Sequence, residues 1–302
     1  MPEGDTIFRS ADVLRRHLVG GDVLEAWSQP RPGLARVPSL GRLEGRRVES
    51  VEARGKHLLI GFSGGLWLRT HMRMRGSWHR YRPDEEWRLP AGRASAVLRT
   101  ASAVAVCFDA PEVEVLTAAE LARHPALSTL GPDLLGARFE LEEAVRRLLA
   151  APSVALGEAL LDQRSVAGIG NVVKSEVCFL ERLHPWAPVG DVQPAALRAA
   201  LAIARRVLQA NVRGGRRVTT GVDAPGRSLW VYGRAGRACR RCGTLVAGRR
   251  QGEQGRMTYW CPRCQPALSP SRGAARSLSQ GAPDGSPASS PRRSAPPAPD
   301  AG

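Results

Sequence analysis

The chain has 302 residues, with 44 lysines and arginines against 28 acidic residues and a formal net charge of +16. This length predicts about two compact domains, and a hydrophobic content of 43% is enough for buried cores. No apolar run approaches the roughly 18 residues of a membrane span, and the acidic N-terminus lacks the features of a signal peptide. We therefore expect a cytoplasmic protein, whose six cysteines favour a metal site or buried thiols over disulfides.

The positive charge is concentrated in one part of the chain. Residues 190–265 contain 15 arginines and three acidic residues, a net charge of +12, whereas residues 1–189 contain 25 basic and 23 acidic residues. Such a one-sided charge favours a polyanionic partner such as nucleic acid. An anionic membrane is the alternative, but the segment lacks the long basic amphipathic helix expected for that role.

The first predicted element is a helix directly after the acidic N-terminus. Asp5 or Thr6 can cap its start, and Gly20-Gly21 ends it. Its apolar stripe consists of Ile7, Ala11, Leu14 and Leu18. Short strands separated by glycine and proline turns follow, and they predict a β-sandwich or barrel. These strands are 48–51, 57–62, 66–70, 96–99 and 104–108.

From about residue 118 the apolar period becomes helical. A cysteine-rich module follows from residue 229, and from Pro266 the chain consists mainly of proline, serine, glycine and alanine. Such a composition predicts a disordered tail outside the fold. The predicted helices are 117–123, 140–150, 153–162, 171–181 and 194–210.

The four cysteines of the module have the spacing of a zinc site. Cys239 and Cys242 form one Cys-x2-Cys pair, and Cys261 and Cys264 form the other. The residues between the pairs can form a hairpin with its turn near residues 252–255. Four thiolates leave no open coordination position, so we expect one structural Zn²⁺. Cys107 and Cys178 lie in apolar surroundings and are expected to be buried.

A glycine-rich turn separates two of the apolar helices at Gly168-Ile169-Gly170-Asn171. Asn171 is a suitable N-cap for the second helix. An exposed helix N-terminus after glycines can also bind a phosphate through its amides. Lys174, one turn later, either contacts the same phosphate or is a solvated surface residue.

Four motifs occur together in this order along the chain. They are Met1-Pro2-Glu3-Gly4-Asp5-Thr6, Arg54-Gly55-Lys56-His57-Leu58-Leu59, the segment from Leu160-Leu161-Asp162-Gln163 to Gly168-Ile169-Gly170-Asn171, and Tyr259-Trp260-Cys261-Pro262-Arg263-Cys264-Gln265. The combination resembles the formamidopyrimidine-DNA glycosylase/endonuclease VIII family over residues 1 to about 265. This resemblance implies a bifunctional DNA glycosylase and AP lyase of base-excision repair.

The resemblance also implies an α+β multidomain architecture. Residues 1–117 are expected to form a catalytic β-sandwich domain with a flanking helix, and residues 118–228 a helix–two-turn–helix DNA-binding domain. A four-cysteine zinc-finger hairpin would span 229–265, and the tail 266–302. Damaged DNA would lie in the cleft between the domains. The expected protein is a monomer without a membrane partner, associated with the nucleoid when it binds DNA.

Four residues match the family's catalytic positions. Once Met1 is removed, Pro2 would attack C1′ as a secondary amine, and the resulting iminium ion has no N–H proton to lose. Glu3 matches the general acid and proton shuttle. Lys56 would protonate the sugar ring oxygen or assist β-elimination, and it would pair with phosphate. Arg256 would hold phosphates and assist δ-elimination.

Further positions match the family's DNA contacts. Asn171 corresponds to a phosphate-binding asparagine, and Lys174 is a candidate for the same role. Arg73, Met74 and Arg75 occupy the positions from which side chains enter the gap left by a flipped base, and such a wedge offsets part of the flipping cost.

The branch of the family is a finer question. Gly4 and the ten-residue segment between Thr220 and Val231 resemble the endonuclease VIII branch, which acts on oxidised pyrimidines. Met74 instead resembles the purine-specific formamidopyrimidine branch. Two alternatives remain: an 8-oxoguanine-type purine glycosylase, and a non-catalytic DNA-binding protein on the same scaffold. A generic zinc-ribbon module would account for 229–265 but not for the N-terminal motif.

Overall fold

The computed structural model describes residues 2–30 and 39–267 of the chain. The predicted N-terminal helix is present as α1, Gly4–Leu18. The prediction that Asp5 or Thr6 caps this helix is wrong, because the helix begins at Gly4 and Glu3 occupies the N-cap position. The carbonyl oxygen of Glu3 accepts a hydrogen bond from the amide of Thr6 at 2.9 Å. The apolar stripe is buried as predicted, at Ile7, Ala11, Leu14 and Leu18.

Two antiparallel four-stranded sheets follow α1 and share one hydrophobic core with it. One sheet has the order β1-β6-β7-β5, and the other has the order β2-β3-β4-β8. The N-terminal part is therefore the expected β-sandwich with a flanking helix. Its strands are β1 (Glu25–Trp27), β2 (Val48–Arg54), β3 (His57–Phe62), β4 (Leu66–His71), β5 (Ser77–Tyr81), β6 (Ala94–Arg99), β7 (Val104–Phe108) and β8 (Glu112–Thr117).

Three of these strands, β1, β5 and β8, were not predicted from the sequence. β1 has only three residues, which is too short for a periodic signal. In β8, Glu112 and Glu114 alternate with valines, and both carboxylates pair with the buried Arg69 of the neighbouring strand. A strand whose charged side chains are partnered across the sheet lacks the compositional signal of a strand.

The helical part consists of six helices among the described residues. Most of α6 is buried, including its polar residues Asn171, Lys174, Ser175 and Glu176. The predicted helix 153–162 is reduced to one turn, because the amides of Leu156 and Gly157 bond to the carbonyl oxygens of Ala187 and Pro185. The helices are α2 (Ala118–Ala122), α3 (Pro125–Ser128), α4 (Leu141–Leu149), α5 (Leu156–Ala159), α6 (Asn171–Leu180) and α7 (Pro194–Ala210). None of these helices, nor α1, combines the length and apolarity that a bilayer crossing requires.

The cysteine-rich module contains the predicted hairpin. Strands β9 (Ala247–Gln251) and β10 (Arg256–Trp260) pair antiparallel, with Gln251 opposite Arg256. The turn begins and ends with glycines of positive φ, at +68° for Gly252 and +56° for Gly255. The predicted tail lies outside the described residues, apart from Pro266 and Ala267.

Candidate active site

Glu3 connects the N-terminal segment to the start of helix α6. Its side chain is fully buried, and its carboxylate accepts hydrogen bonds from the amides of Val172 at 2.8 Å and Val173 at 3.2 Å. A Cβ at Gly170 would lie 2.3 Å from the Glu3 carboxyl carbon, so glycine is required there. The first amides of α6 are therefore occupied by Glu3, and the expectation that they are open to a phosphate is wrong.

Asn171 also differs from its prediction. Gly170, not Asn171, is the N-cap of α6, and Asn171 is the first helical residue. Its side chain is 5% exposed, and its Nδ2 donates to the carbonyl oxygen of Met257 in β10 at 2.7 Å. In this conformation Asn171 joins α6 to the hairpin, and its contact with a phosphate stays a prediction.

Lys174 is not a surface residue, and the prediction that it binds phosphate is wrong. It is fully buried, and its Nζ donates to the hydroxyl of Thr258 in the hairpin. Thr258 donates to Gln251 at 2.8 Å, and Gln251 donates to the carbonyl oxygen of Pro185 at 2.8 Å. Burial lowers the pKa of Lys174 to about 8. Lys174 thus connects α6 to the hairpin from inside the protein.

Lys56 lies in the tight turn between β2 and β3. Gly55 adopts φ of +56°, which the turn requires, and its amide donates to the carboxylate of Asp133 at 2.6 Å. Burial lowers the pKa of Lys56 to about 8, with Glu3 opposing the shift and Arg256 supporting it. Lys56 is therefore close enough to both Glu3 and Arg256 for their charges to affect its pKa.

One cavity of about 160 Å³ gathers several of the residues predicted from the sequence. The predicted residues that line it are Pro2, Lys56, Arg73, Met74 and Arg256. The remaining lining residues are Ile7, His71, Met72, Leu161, Gln163 and Gln254. Glu3 follows Pro2 in the chain and is fully buried. The cavity is formed by α1, the β2–β3 turn, the β4–β5 loop and the hairpin.

The β4–β5 loop presents Met74 to solvent. Its side chain is 57% exposed, which is unusual for a large apolar residue. Arg256 approaches the Met74 sulfur at 3.8 Å with one Nη, and its Nε donates to Gln254 at 2.8 Å. Arg75 is exposed and does not line the cavity. Arg73 is also exposed, but its guanidinium is paired with Glu112.

One charged residue that contacts the N-terminal segment, Arg217, was not found from the sequence. Arg217 donates through Nε to Asp5 at 2.7 Å, and its Nη1 lies 3.8 Å from Glu3. The guanidinium side chain is only 14% exposed. Arg217 comes from a segment with several arginines, and nothing in the sequence distinguishes it from Arg213 or Arg216.

The four cysteines of the module fit a tetrahedral zinc ion. Their sulfur atoms all lie within 4.8 Å of one another, and two of the separations are 3.9 Å (Cys239 to Cys264) and 3.5 Å (Cys242 to Cys261). A tetrahedron with Zn–S bonds of about 2.3 Å requires sulfur separations of about 3.8 Å. As predicted, Cys107 and Cys178 are buried elsewhere.

Family models match most of the chain. The formamidopyrimidine-DNA glycosylase N-terminal domain matches residues 1–124, and the formamidopyrimidine-DNA glycosylase H2TH domain matches residues 130–222. Among solved structures, Lactococcus lactis Fpg in complex with a DNA containing N7-benzyl-Fapy-dG is similar in fold. It has a TM-score of 0.74 and 21% identity, and the match covers 88% of this chain and all of that one.

Several curated proteins are similar in sequence. A probable endonuclease 8 2 from Streptomyces coelicolor is 46% identical over 90% of this chain and 97% of its own length. The DNA-(apurinic or apyrimidinic site) lyase Nei2 from Mycolicibacterium smegmatis is 42% identical, and endonuclease 8 from Klebsiella pneumoniae is 37% identical; each match covers 88% of this chain and all of the relative. The chain therefore belongs to the formamidopyrimidine-DNA glycosylase/endonuclease VIII family.

Proposed function

We propose that the protein is a bifunctional DNA glycosylase and AP lyase that excises oxidised pyrimidines. The observation that carries this proposal is the cavity lined by Pro2, Lys56 and Arg256. Glu3, the next residue after Pro2, is buried. A nucleophile, a proton donor and a phosphate-binding cation thus converge from three distant parts of the chain. The related proteins named endonuclease 8 and Nei2 support the same activity.

Pro2 acts as the nucleophile after removal of Met1. Its secondary amine attacks C1′ of the damaged nucleoside, and the bond between C1′ and the base breaks as the base leaves with a proton. The C1′–O4′ bond of the sugar then breaks as O4′ takes up a proton, and the ring-opened product is an iminium ion. This ion draws electrons from C2′ once a C2′ proton is removed. The C3′–O bond then breaks in β-elimination, and the C5′–O bond breaks in δ-elimination. Hydrolysis of the imine releases Pro2.

The amine of Pro2 must be neutral to attack. A free α-amino group has a pKa of roughly 7.7–8.0, so a substantial fraction is already neutral near physiological pH. Helix α1 begins at Gly4, two residues after Pro2. The positive end of its dipole disfavours the ammonium form and increases that fraction.

Glu3 and Lys56 are the two groups that transfer protons in the proposed reaction. The Glu3 carboxylate is held in place by two α6 amides, and it is the proposed proton shuttle. Lys56 has a pKa of about 8. It is therefore mostly protonated at neutral pH but gives up its proton more readily than an ordinary lysine.

The DNA-binding surface combines the hairpin with the β4–β5 loop. Arg256 lines the cavity from β10 and is placed to hold the phosphates next to the lesion. The exposed Met74 fills the space left by the extruded base, and Arg75 lies beside it. The net charge of +12 over residues 190–265 supplies the longer-range attraction for the phosphate backbone.

Zinc has a structural role in this proposal. Cys239, Cys242, Cys261 and Cys264 would hold one Zn²⁺ and leave no position open for substrate. Bound zinc fixes the two ends of the module, and the intervening hairpin carries Arg256 into the cavity. The protein would act as a monomer.

The choice of pyrimidines over purines rests on the names of the relatives and on the short segment before Val231. Gly4 is weaker support than the sequence alone indicates, because packing also requires it. A Cβ at Gly4 would lie 3.0 Å from the Cα of Gly168, and the Gly4 amide donates to the Gly168 carbonyl oxygen at 2.9 Å. Met74 favours the second candidate, a purine-specific glycosylase of the same family.

Borohydride trapping tests the proposal directly. The protein is incubated with oligonucleotides that carry 5-hydroxyuracil, thymine glycol, 8-oxoguanine or an abasic site, and the reductant converts the imine to a stable amine. We expect a covalent adduct on the oxidised pyrimidines and on the abasic site. The matched control is the same chain with Met1 retained, which blocks the amine and should give no adduct.

The other outcomes separate the alternatives. A dominant adduct on 8-oxoguanine would assign the protein to the purine branch. DNA binding without any adduct, on the abasic site included, would show a DNA-binding protein that lacks the chemistry.

A further inference from the structure

The loop that carries Met74 is tied to strand β8 through the residue before it. Arg73 lies just beyond the end of β4, in a left-handed conformation with φ of +46°. Its Nε donates to the carboxylate of Glu112, although 61% of the Arg73 side chain is exposed. A left-handed backbone is unfavourable for a residue other than glycine. The ion pair with Glu112 is the contact that holds Arg73 in this position.

Glu112 is in turn held by a buried cation. Arg69 is 2% exposed, and its Nη2 donates to Glu112 at 2.9 Å. Its Nη1 donates to Glu114, the next carboxylate on the same face of β8. His71 lies between the two arginines, with its Nδ1 at 4.0 Å from Glu112. One oxygen of Glu112 thus faces a fixed guanidinium, and the other faces a guanidinium on a loop.

The charge of Glu112 is well defined in this environment. Burial acts to raise the pKa of Glu112, but the cations around it outweigh this effect and hold the pKa below its ordinary value. Hydrogen bonds from the permanently charged Arg69 and Arg73 lower it. Burial lowers the pKa of His71 to about 4, so this ring is neutral at neutral pH. Glu112 is therefore ionised at neutral pH and can pair with both arginines at once.

The ion pair has a direct consequence for Met74. Because Arg73 is the residue before Met74, fixing the Arg73 side chain and backbone also fixes the direction in which Met74 leaves the loop. The sequence placed Arg73 among the residues that enter the gap in DNA. The structure instead gives Arg73 a protein partner, while Met74 remains exposed at the mouth of the cavity.

We propose that Glu112 is a positioning residue that anchors Arg73 and thereby orients Met74 for base extrusion from duplex DNA. This inference rests on the wedge role assigned to Met74 under the proposed function. Extrusion from a duplex requires the base to be unpaired and unstacked, whereas a base in a single strand is already unpaired. The anchor therefore affects excision from duplex DNA and leaves excision from single strands unchanged.

Glu112→Gln breaks the anchor with little change in shape. The amide retains one acceptor oxygen, and its NH₂ group cannot accept a hydrogen bond from arginine. Arg69 keeps the oxygen, because an unpaired donor costs more in the interior than at the surface. Arg73 loses its partner. Glu114→Gln is the matched control, since it changes the same Arg69 cluster without touching Arg73.

The experiment measures single-turnover excision of 5-hydroxyuracil from duplex and from single-stranded oligonucleotides. For Glu112→Gln and Arg73→Ala we expect a loss of about fivefold on duplex DNA, the upper range for a partly exposed ion pair. Glu112→Gln should leave the rate on single strands unchanged. The double variant should be no slower than either single variant, because both remove the same contact. A fluorescent base analogue beside the lesion should report slower extrusion.

Three results would overturn the anchor. If Arg73→Ala slows duplex excision and Glu112→Gln does not, Arg73 contacts DNA directly. If Glu112→Gln slows duplex and single-strand excision equally, or Glu114→Gln does the same as Glu112→Gln, the effect is a general loss of structure. Met74→Ala separates this inference from the proposed function. An unchanged rate of duplex excision in this variant would show that Met74 does not act as a wedge.

Discussion

The carboxylate of Asp133 accepts a 2.6 Å hydrogen bond from the amide of Gly55, the residue immediately before Lys56. Its other oxygen accepts the amide of Leu135 at 2.9 Å. Asp133 belongs to the segment before α4, whereas Gly55 lies in the β2–β3 turn of the sandwich. A Cβ at Gly55 would lie 3.1 Å from the Cβ of Ala167, so the turn rests directly on the helical part. The position of Lys56 is thus set by a contact between two parts of the fold.

Asp133→Asn is expected to lower the rate of base excision more than the affinity for DNA. Asparagine can accept only one of the two amide hydrogen bonds, because its NH₂ group must face the other donor. The Gly55 turn then shifts, and a small displacement of Lys56 costs about tenfold or more in the chemical step. Single-turnover excision measures the rate. Fluorescence anisotropy of labelled DNA with a tetrahydrofuran analogue of the abasic site, which cannot form the iminium ion, measures the affinity.

Asp162→Asn is the matched control for this variant. Asp162 is in the same helical part, and within residues 2–30 and 39–267 its carboxylate pairs only with Arg164, which is mostly exposed. It should leave the excision rate unchanged. A parallel loss of DNA affinity in Asp133→Asn, or no loss of rate, would show that Asp133 does not position the lysine.

The lowered pKa of Lys56 predicts where excision loses activity at high pH. If the protonated lysine donates a proton to the sugar, the active form disappears as pH rises through the pKa of about 8. An unperturbed lysine would titrate near 10.4. We expect kcat/KM, which reports the free enzyme, to fall about tenfold per pH unit above pH 8.

The Lys56→Arg variant separates this fall of kcat/KM at high pH, the falling limb of the profile, from the effect of the Pro2 titration. The amine of Pro2 gives a limb that rises with pH, because its neutral form is the nucleophile. Arginine cannot release a proton in the accessible range, so the variant should be slow and should retain only the rising limb. A falling limb near pH 10 in the native protein would contradict the role of Lys56 as the proton donor.

The residues that we propose to carry the chemistry could be picked out because they lie in short motifs. Pro2, Lys56, Arg256 and the four cysteines are each identified by neighbours in the sequence, and the structure brings the first three to one cavity. The apolar stripe of α1 was also predicted, because helical periodicity is a local property.

The residues that position this chemistry could not be predicted. Asp133 and Gly55 are 78 positions apart in the chain, and nothing local marks either of them as a partner. The sequence also gives no indication that the Glu3 side chain would accept hydrogen bonds from the first turn of α6 while Glu3 occupies the N-cap position of α1. Lys174 was misassigned for a related reason: a lysine between apolar residues indicates a solvated face unless a distant partner such as Thr258 is known.

The buried Lys174 predicts a pH dependence of stability. Its pKa is lowered to about 8 in the folded protein, against roughly 10.4 in the unfolded chain. The unfolded state therefore binds more protons between these values, and the free energy of unfolding rises with pH in this window. The cost of burying the charge is fully present below pH 8 and is relieved as the pH approaches 10.

Lys174→Met removes the titrating group while retaining much of the side-chain length. From pH 7 to pH 9.5, the free energy of unfolding of the native protein should rise by about 2 kcal/mol more than that of the variant. Urea denaturation followed by tryptophan fluorescence measures both. Lys174→Arg keeps a charge that does not titrate, so its curve should be as flat as that of Lys174→Met. Identical pH slopes in all three proteins would contradict the prediction.

Loss of zinc is expected to disable Arg256 and to spare the sandwich. The two cysteine pairs flank the hairpin that carries Arg256, and the N-terminal core contains no residue of this module. Cys261→Ser removes one of four thiolates, so the protein should lose its single zinc ion, and strand cleavage at abasic sites should fall by about a hundredfold, in the range seen when metal-site support is lost.

Cys178→Ser is the control: this thiol is buried away from the cluster, and its variant should retain one zinc per chain. Atomic absorption, cleavage assays and circular dichroism measure metal, activity and fold. Full cleavage activity in a zinc-free Cys261→Ser protein would show that Arg256 is not held in place by the metal.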